Sequence, residues 1–202
     1  LIHSQCEFST FFLAKRIAGE LDIPIIHTYH TVYEDYTHYF SPQKAWGRSL
    51  VQMMTRKLSD QVDAMIAPSG KIERILEGYR VSCPVNVVPS GIDTEKYRKR
   101  IDDRSKEALR KQYGIKEDEI VFVYVGRMAK EKNIEELLWY QKSVQKNIKL
   151  VLVGDGPYRT TLEEKAKEYQ VTDSVIFTGM VSPDEVARYY QIGDLFVSAS
   201  TS

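Results

Sequence analysis

Two cationic side chains, Arg127 and Lys132, lie close together in the short stretch GRMAKEK. The planar guanidinium of an arginine can donate two parallel hydrogen bonds to a phosphate, and a nearby lysine adds a compact positive charge. Residues of these types could together hold a diphosphate. Both could equally be ordinary solvated turn residues, because most loop cations belong to no site. The secondary-structure elements around Arg127 and Lys132 help to decide between a diphosphate site and solvated turn residues.

The residues around this pair predict a strand, a turn and the start of a helix. Ile120–Val125 is a run of β-branched and aromatic residues, which predicts a buried strand that ends at Gly126. Asn133 predicts the start of a helix, with Glu136 as its capping-box partner. Such a helix start is a natural anion site, because unpaired backbone N–H groups point out of it. Glu135 and Glu136 offset part of this dipole, so a phosphate would depend on the two cations.

Gly154 and Gly156 belong to a second short turn, GDGP, which follows another apolar segment. Glycines in such a turn could let bare backbone approach a ligand, although they also serve ordinary strand–helix turns. The sequence has neither a Walker lysine motif nor a G-x-G-x-x-G fingerprint. NTP hydrolysis and dinucleotide binding therefore lose support.

Three histidines, His27, His30 and His38, lie near two carboxylates, Glu34 and Asp35. A metal site is one interpretation, but it needs several convergent ligands. His27 and His30 would point to opposite faces of a straight strand, because side chains alternate along it. We therefore expect His30, at the exit of the strand, to contact a polar substrate. His27 is expected to be a core histidine.

The segment 42–62 predicts an amphipathic helix with two rows of side chains. One row is basic and polar: Lys44, Arg48, Gln52 and Arg56. The other row is apolar: Trp46, Leu50, Met54 and Leu58. A basic amphipathic helix can lie on an anionic membrane surface, and the alternative is an ordinary domain helix with a solvated face.

Composition limits the class of protein. The chain has 202 residues, of which 43% are hydrophobic and 28% are charged, as is ordinary for a globular protein. A formal net charge of zero argues against nucleic acid as a partner. Cys6 and Cys83 form no pattern, which predicts free thiols in a reducing compartment. Leu1 and the last segment, LFVSASTS, both read as interrupted strands, so we expect a fragment of a longer protein.

Strands alternate with helices in both halves, which predicts an α/β fold of two doubly wound, Rossmann-like domains, both incomplete. A heavily charged stretch from Asp93 to Asp118 places the domains at 1–92 and 93–202. The expected helices are 8–21, 42–62, 69–77, 105–113, 133–145, 158–169 and 183–192. The expected strands are 24–29, 64–67, 85–88, 120–125, 149–153, 175–178 and 195–199. Because ligands bind beyond the carboxyl ends of parallel strands, we expect a cleft between the two domains.

These residues together resemble the GT-B glycosyltransferases of family four. The matching motifs cover nearly the whole chain: HTYHT, APS at 67–69, VPSGID at 88–93, YVGRMAKEKNIEELL, LVLVGDGP and FTGMVSPDEVARYYQIGDLFVSAS. The segment HTYHTVYEDYTHYF is most similar to bacterial 1,2-diacylglycerol 3-glucosyltransferases. The resemblance implies a hexosyltransferase that moves glucose, with retention, from a nucleotide sugar to diacylglycerol in glycolipid synthesis. UDP-glucose is the expected donor, and the resemblance implies no cofactor and no obligatory metal.

The resemblance also assigns roles to residues. Arg127 and Lys132 correspond to the pair that holds the donor diphosphate, and His30 to a histidine near the transferred sugar, so these three are the expected catalytic residues. The expected donor-binding residues are Gly126, Arg127, Lys132, Gly154, Gly156, Met180 and Val181. A lipid acceptor predicts a cytoplasmic protein that is peripheral on the inner face of the cell membrane. The expected contacts with that anionic surface are Lys44, Trp46, Arg48 and Arg56.

Domain 1–92 is then the C-terminal part of the acceptor-side domain, and 93–202 is a donor-binding domain that lacks its C-terminal part. A glycine-rich loop would lie before Leu1 and a glutamate-rich E-x7-E segment after Ser202, so we expect this chain to be inactive and its parent to be an enzyme. Two alternatives stay open: a family-four transferase acting on a soluble sugar or polysaccharide precursor, and a non-catalytic nucleotide-binding module. A metal hydrolase built on the three histidines is more distant.

Overall fold

The computed structural model describes residues 1–34, 44–144 and 147–200, and it describes the backbone alone for Lys44 and Ala45. The chain divides into two compact units, Leu1–Ile92 and Asp93–Ser202. This division falls where the charged stretch predicts a boundary, whereas the roles assigned to the two halves stay predictions. Each unit has a parallel sheet and helices, which confirms the α/β fold class.

The first unit is built on four parallel strands in its described part. In chain order its elements are β1 (Ile2–Ser4), α1 (Ser9–Leu21), β2 (Ile25–Thr28), α2 (Lys44–Ser59), β3 (Ala64–Ala67), α3 (Gly70–Tyr79) and β4 (Val85–Val87). The strands pair in the order β1-β2-β3-β4. A core of buried side chains, which includes Phe11, Tyr29, Met65 and Leu76, packs the helices onto this sheet. Burial of these apolar side chains is the main favourable term for the unit.

Local sequence explains where α3 begins and where it ends. The Ser69 hydroxyl caps the helix by accepting a hydrogen bond from the backbone N–H of Ile72 at 3.4 Å. Arg80 then adopts a left-handed conformation with a φ of 57°, which is a common way to end a helix. The predicted end of this helix at residue 77 falls short, because Tyr79 continues the helix and its side chain is buried in the core.

The second unit is built on four parallel strands in its described part. In chain order its elements are α4 (Thr94–Arg98), α5 (Asp103–Gln112), β5 (Ile120–Val125), a 3-10 turn (Lys130–Lys132), α6 (Ile134–Gln141), β6 (Ile148–Val153), α7 (Arg159–Glu168), a second 3-10 turn (Thr172–Ser174), β7 (Val175–Gly179), α8 (Val186–Ile192) and β8 (Leu195–Phe196). The strands pair in the order β7-β6-β5-β8. Two apolar clusters lie on the sheet, one against α6 and α7 and the other against α5 and α8.

Two helices in this unit differ from their predicted extent. α4 is not predicted from the sequence, and the Asp93 carboxylate caps it by accepting a hydrogen bond from Lys96 N at 3.3 Å. α6 ends at Gln141 instead of residue 145. There the Gln141 amide turns inward and donates to the Ile148 carbonyl at 2.8 Å, which ties the end of the helix to the start of β6.

α8 and β8 are also shorter than predicted. α8 begins at Val186 instead of residue 183, because the preceding residues form a turn in which the Ser182 carbonyl accepts from the backbone of both Glu185 and Val186. The predicted strand 195–199 is regular only over Leu195–Phe196. Such differences of a few residues at element ends are typical of predictions from pattern alone.

Candidate functional site

Three strand-end turns are joined at the carboxyl edge of the second sheet. The Met128 N–H donates to the Asp155 carbonyl at 2.9 Å, which links the turn after β5 to the turn after β6. The Gly154 N–H donates to the Gly179 carbonyl at 3.1 Å, which links the turn after β6 to the end of β7. The structure therefore brings the GRMAKEK, GDGP and TGMV turns together, as the parallel topology predicts.

The two glycines of GDGP are explained by this close approach. Gly154 has a φ of 127°, a backbone conformation that other residues rarely adopt. A Cβ at Gly154 would collide with the Gly126 carbonyl oxygen, and a Cβ at Gly156 would collide with the Met128 carbonyl oxygen. Turn-to-turn packing thus accounts for both residue types, and contact of their backbone with a ligand stays a prediction.

Arg127 projects from the turn and is held at its far end by a carboxylate. Its side chain is 61% exposed, and its Nη2 donates to Glu131 Oε1 at 2.6 Å. The Glu131 side chain is only 5% exposed. Burial would raise the pKa of Glu131, but hydrogen bonds from its own backbone and from Arg127, together with the charges of Arg127 and Lys132, hold that pKa below its ordinary value. The carboxylate is therefore ionised at neutral pH.

Lys132 is half-buried at the end of the 3-10 turn that carries Glu131. The predicted pair, Arg127 and Lys132, thus lies in one short turn.

Asn133 differs from its prediction. It is left-handed, with a φ of 49°, and its side-chain amide donates to the Glu136 carboxylate instead of capping the backbone of α6. Asparagine tolerates this conformation better than most residues, which permits the sharp change of direction into the helix.

Arg159 is a residue of this edge that sequence reasoning missed. Its guanidinium donates to Asp155 at 3.1 Å and to Glu163 at 2.8 Å. It also lies close to Gly179, within 3.2 Å of where a Cβ of that glycine would be. The spacing of four residues from Asp155 to Arg159, and again to Glu163, was the available signal. Arg159 therefore ties the GDGP turn to α7 and lies beside the end of β7.

Met180 and Val181 follow β7 at the same edge. Met180 is 79% exposed, whereas Val181 is partly buried against the cluster beside α8. One flexible apolar side chain is therefore left in solvent next to the joined turns. The expected role of Met180 and Val181 in binding the donor stays a prediction.

The two histidines of the first unit lie in different surroundings. His27 is fully buried, with its Nδ1 at 2.7 Å from the Ser4 hydroxyl and its Nε2 at 3.4 Å from Glu7. It packs edge-on against Phe11, and this placement confirms that His27 is a core residue. His30 is exposed past the end of β2, with its Nε2 at 3.2 Å from the Gln5 side chain. His30 is available to a ligand, and its catalytic role stays a prediction.

Glu7 connects His27 to Tyr33 at the carboxyl edge of the first sheet. The Tyr33 hydroxyl donates to Glu7 Oε2 at 2.6 Å. Burial would raise the pKa of Glu7, but the hydrogen bonds from His27 and Tyr33 outweigh it and lower that pKa. Burial and the neighbouring Glu7 charge together raise the pKa of Tyr33 well above its ordinary value. Glu7 is thus an ionised acceptor that sequence reasoning did not single out.

An apolar groove lies beside Glu7, between α1 and α2. It has a volume of about 470 Å³. Its lining includes Phe8, Phe12, Tyr33, Leu50 and Met54. Both aromatic and aliphatic side chains therefore face an open space that is suited in size to an apolar ligand.

The basic row of α2 has partners within the chain. Arg48 Nε lies 3.0 Å from Glu34 Oε2, and Arg56 Nε donates to the Tyr79 carbonyl at the end of α3. Arg48 nevertheless keeps 65% of its side chain exposed. The side chain of Lys44 lies outside the described residues. The predicted contact of these three cations with an anionic surface stays a prediction.

The exposed face of α2 is more apolar than the two-row pattern predicts. The exposed apolar side chains are Trp46 (76%), Leu50 (42%), Met53 (46%) and Met54 (54%). Leu58, the last member of the predicted apolar row, is buried in the core. Across the described part of the chain, the helices are too short or too polar for any of them to traverse a bilayer.

No three His, Cys, Asp or Glu side chains are placed to hold a metal ion within residues 1–34, 44–144 and 147–200. His38 and Asp35, which belong to the alternative metal site, lie outside the described residues. Arg127 and Lys132 bring positive charge to the second sheet, as an anion site requires.

Two family models match the chain. The model for "Glycosyltransferase Family 4" matches residues 1–96, and the model for "Glycosyl transferases group 1" matches residues 105–202. Together they cover nearly the whole sequence and meet near the boundary between the two units.

Curated relatives match along the full chain. The alpha-monoglucosyldiacylglycerol synthase of Streptococcus pneumoniae is 42% identical over 206 residues, an alignment that covers 100% of this chain and 47% of that protein. The alpha-monoglucosyldiacylglycerol synthase of Acholeplasma laidlawii is 31% identical, with 100% of this chain and 53% of that protein covered. The chain therefore spans about half the length of these relatives.

A solved structure has the same fold. The crystal structure of Anabaena HepE in complex with UDP and glucose superposes with a TM-score of 0.77 at 17% identity. The superposition covers 95% of this chain and 50% of HepE. At this identity the similarity concerns the fold alone.

Proposed function

Because the chain belongs to the group 1 glycosyltransferases of family four, which have the GT-B fold, we propose that the whole protein transfers glucose from UDP-glucose to diacylglycerol with retention of configuration. The names of the two curated relatives support diacylglycerol as the acceptor class and glucose as the sugar. The fold shared with a UDP-binding structure is consistent with a uridine nucleotide as the carrier.

One observation carries the proposal at the level of chemistry. Arg127 and Lys132 lie in one turn at the carboxyl edge of a parallel sheet, and a buried carboxylate, Glu131, holds the Arg127 guanidinium. Ligands of such sheets bind at this edge. Two cations fixed there can accept the diphosphate of a nucleotide sugar.

The transfer itself needs stabilisation of the leaving group. The bond between the anomeric carbon and the diphosphate oxygen breaks, the acceptor hydroxyl oxygen bonds to that carbon, and the hydroxyl proton passes to an oxygen of the departing diphosphate. Negative charge grows on the departing diphosphate, and fixed cations that face it lower the barrier. Arg127 and Lys132 would serve in this role without an obligatory metal. His30, exposed past the end of β2, would lie near the transferred sugar.

Two features of the first unit support a lipid acceptor. The apolar groove between α1 and α2 opens beside Glu7 and Tyr33, which follow strands β1 and β2. The outer face of α2 presents exposed large apolar side chains, led by Trp46. We propose that the protein lies on the inner face of the cell membrane, where such side chains would enter the interface between headgroups and acyl chains.

A transfer assay on the full-length protein tests this function. Radiolabelled UDP-glucose is supplied with diacylglycerol in anionic vesicles, and the lipid fraction is analysed for glucosyl-diacylglycerol with and without EDTA. The expected result is labelled glycolipid in both conditions. Label that enters only a soluble acceptor would overturn the lipid acceptor, and loss of all transfer in EDTA would overturn the metal-free mechanism.

A further inference from the structure

We propose that Glu131 is the positioning residue that aims the Arg127 guanidinium at the diphosphate of the donor. This inference rests on the proposed function, because it assumes that Arg127 contacts the donor. It assigns a role to a residue that the motif alone does not single out.

The first step concerns the freedom of Arg127. Its side chain is long and 61% exposed, so most of it has no neighbour to restrict its rotamers. An exposed arginine side chain that nothing restrains loses rotamer entropy when a ligand fixes it, and this loss weakens binding of the ligand. The hydrogen bond from Nη2 to Glu131 at 2.6 Å restricts the guanidinium before any ligand arrives.

The second step concerns the rigidity of Glu131. Its side chain is 5% exposed, and it lies on a 3-10 turn between two buried residues, Ala129 and Ile134. The ion pair of Arg98 with Glu95 in this unit is exposed on both sides and offers no fixed point. A buried carboxylate on a packed turn can hold an exposed arginine in one direction, whereas a surface carboxylate moves with it.

The third step concerns the donors that remain. A guanidinium has five N–H donors, and the contact with Glu131 is made through Nη2. Within the described residues the Arg127 side chain makes no further hydrogen bond, so its other donors can reach phosphate oxygens. Glu131 therefore acts through Arg127 and needs no contact with the ligand.

The test is a double-mutant cycle on UDP affinity in the full-length protein, measured by calorimetry. Glu131→Ala is expected to weaken UDP binding about tenfold when Arg127 is present. In the Arg127→Ala background the same substitution should cause no further loss, because its effect passes through the arginine. Glu131→Gln keeps an oxygen that can accept the hydrogen bond, so it should recover part of the lost affinity.

Glu119→Gln is the matched control. Glu119 is also a nearly buried carboxylate in an ion pair, with its side chain 9% exposed and Lys149 at 3.5 Å, but it precedes β5 at the opposite edge of the sheet. Its substitution should lower stability and leave the UDP affinity of the folded protein unchanged. If Glu131 merely stabilised the fold, its substitution would likewise lower stability without changing the UDP affinity of the folded protein.

Three outcomes would overturn the inference. Unchanged UDP affinity in Glu131→Ala would do so, as would an equal loss in the presence and absence of Arg127. If the unaltered full-length protein bound none of UDP, GDP and ADP, the proposed donor site itself would fail and the inference with it. The binding result for the unaltered protein thus separates failure of the site from failure of Glu131.

Discussion

The backbone of Gly156 lies against the carbonyl oxygen of Met128 so closely that a Cβ at residue 156 would collide with it. The same oxygen accepts a hydrogen bond from the Tyr158 N–H at 3.0 Å. The turn after β6 is therefore fixed to the turn that carries the two cations. The geometry of the candidate donor site depends on this contact between two turns.

Gly156→Ala is expected to destabilise the second unit by about 3 kcal/mol, because overpacking against a fixed backbone oxygen forces the two turns apart. The two tryptophans lie in different units, Trp46 in the first and Trp139 in the second. Urea unfolding in a Trp46→Phe background, followed by Trp139 fluorescence, would report the second unit alone.

Gly19→Ala provides the control for this prediction. Gly19 lies in α1, and a Cβ there would meet open space. Alanine favours a helix over glycine by about 1 kcal/mol, so this substitution should leave stability unchanged or raise it. Equal stability of the Gly156→Ala and unaltered proteins would contradict the packing argument.

Arg127→Ala and Lys132→Ala are each expected to weaken UDP binding about 30-fold, the usual worth of a hydrogen bond to a charged group. Calorimetric titration of the full-length protein with UDP measures this change, with GDP and ADP as competitors for specificity. The circular dichroism of each variant should be recorded as well, because loss of Arg127 removes a partner of the buried Glu131.

Lys130→Ala is the matched control for the two cations. Lys130 is exposed and lies in the same 3-10 turn as Lys132. Its substitution by alanine removes one positive charge, as each of the other two substitutions does. Its substitution should change UDP affinity by less than about threefold, which is the scale of a screened surface charge. A loss as large as that of Lys132→Ala would mean that general positive charge, and no specific contact, attracts the nucleotide.

Much of the second unit could be predicted because its sequence signals are local. Ile120–Val125 is a strand in the structure with the bounds that its apolar pattern predicts. The position of Arg127 and Lys132 after this strand followed from the same pattern. The role of Glu131 could not be predicted, because a charged residue in a turn is usually exposed and only tertiary packing buries it.

The first unit shows a different limit of prediction from sequence. The two-row pattern of α2 correctly predicts a helix, but it does not reveal that Arg56 donates to the Tyr79 carbonyl or that Arg48 pairs with Glu34. Both partners are distant in sequence, and a helical pattern contains no information about them. For the same reason the exposure of Met53 and the burial of Leu58 became evident only in the structure.

His27→Ala and His30→Ala should have opposite effects on stability and turnover. His27 is fully buried and bonded to Ser4, so its removal should cost about 3 kcal/mol of unfolding free energy in the first unit. His30 is exposed, so its removal should leave stability unchanged and lower kcat about tenfold if it donates one hydrogen bond to the substrate. Thermal unfolding and the transfer assay separate the two; a stable, slow His27→Ala variant would reverse the assignment.

Replacing Trp46, Leu50 and Met53 by serine should lower the partition of the full-length protein onto anionic vesicles about tenfold or more. These side chains are exposed on α2, and burial of three large apolar groups in a membrane interface is worth several kcal/mol. Co-sedimentation with vesicles measures the partition.

Two further variants sharpen the membrane test. Trp139→Ser removes an exposed tryptophan of the second unit and should leave sedimentation unchanged. Lys44→Glu with Arg48→Glu tests the basic row, and Arg56 is kept because it also bonds α3. Undiminished sedimentation of the serine variant would remove the apolar face of α2 from the membrane contact.

Acid pH should weaken the second unit through Glu131. The pKa of Glu131 is lowered in the folded state, so the unfolded state binds the proton more tightly. Its stabilising contribution is therefore complete above the ordinary glutamate pKa of about 4.3 and is lost as the pH falls through the lowered value. Glu131→Gln cannot titrate. Its free energy of unfolding, followed by Trp139 fluorescence from about pH 6 to pH 3, should fall less steeply than that of the unaltered protein.

Other carboxylates of this unit, including Asp155 and Asp184, also have lowered pKa values, and they contribute equally to both proteins. The difference between the two curves thus isolates Glu131. If the Glu131→Gln curve were parallel to that of the unaltered protein, the Glu131 carboxylate would not be held ionised by its neighbours. Arg127 would then have no charged anchor in the turn.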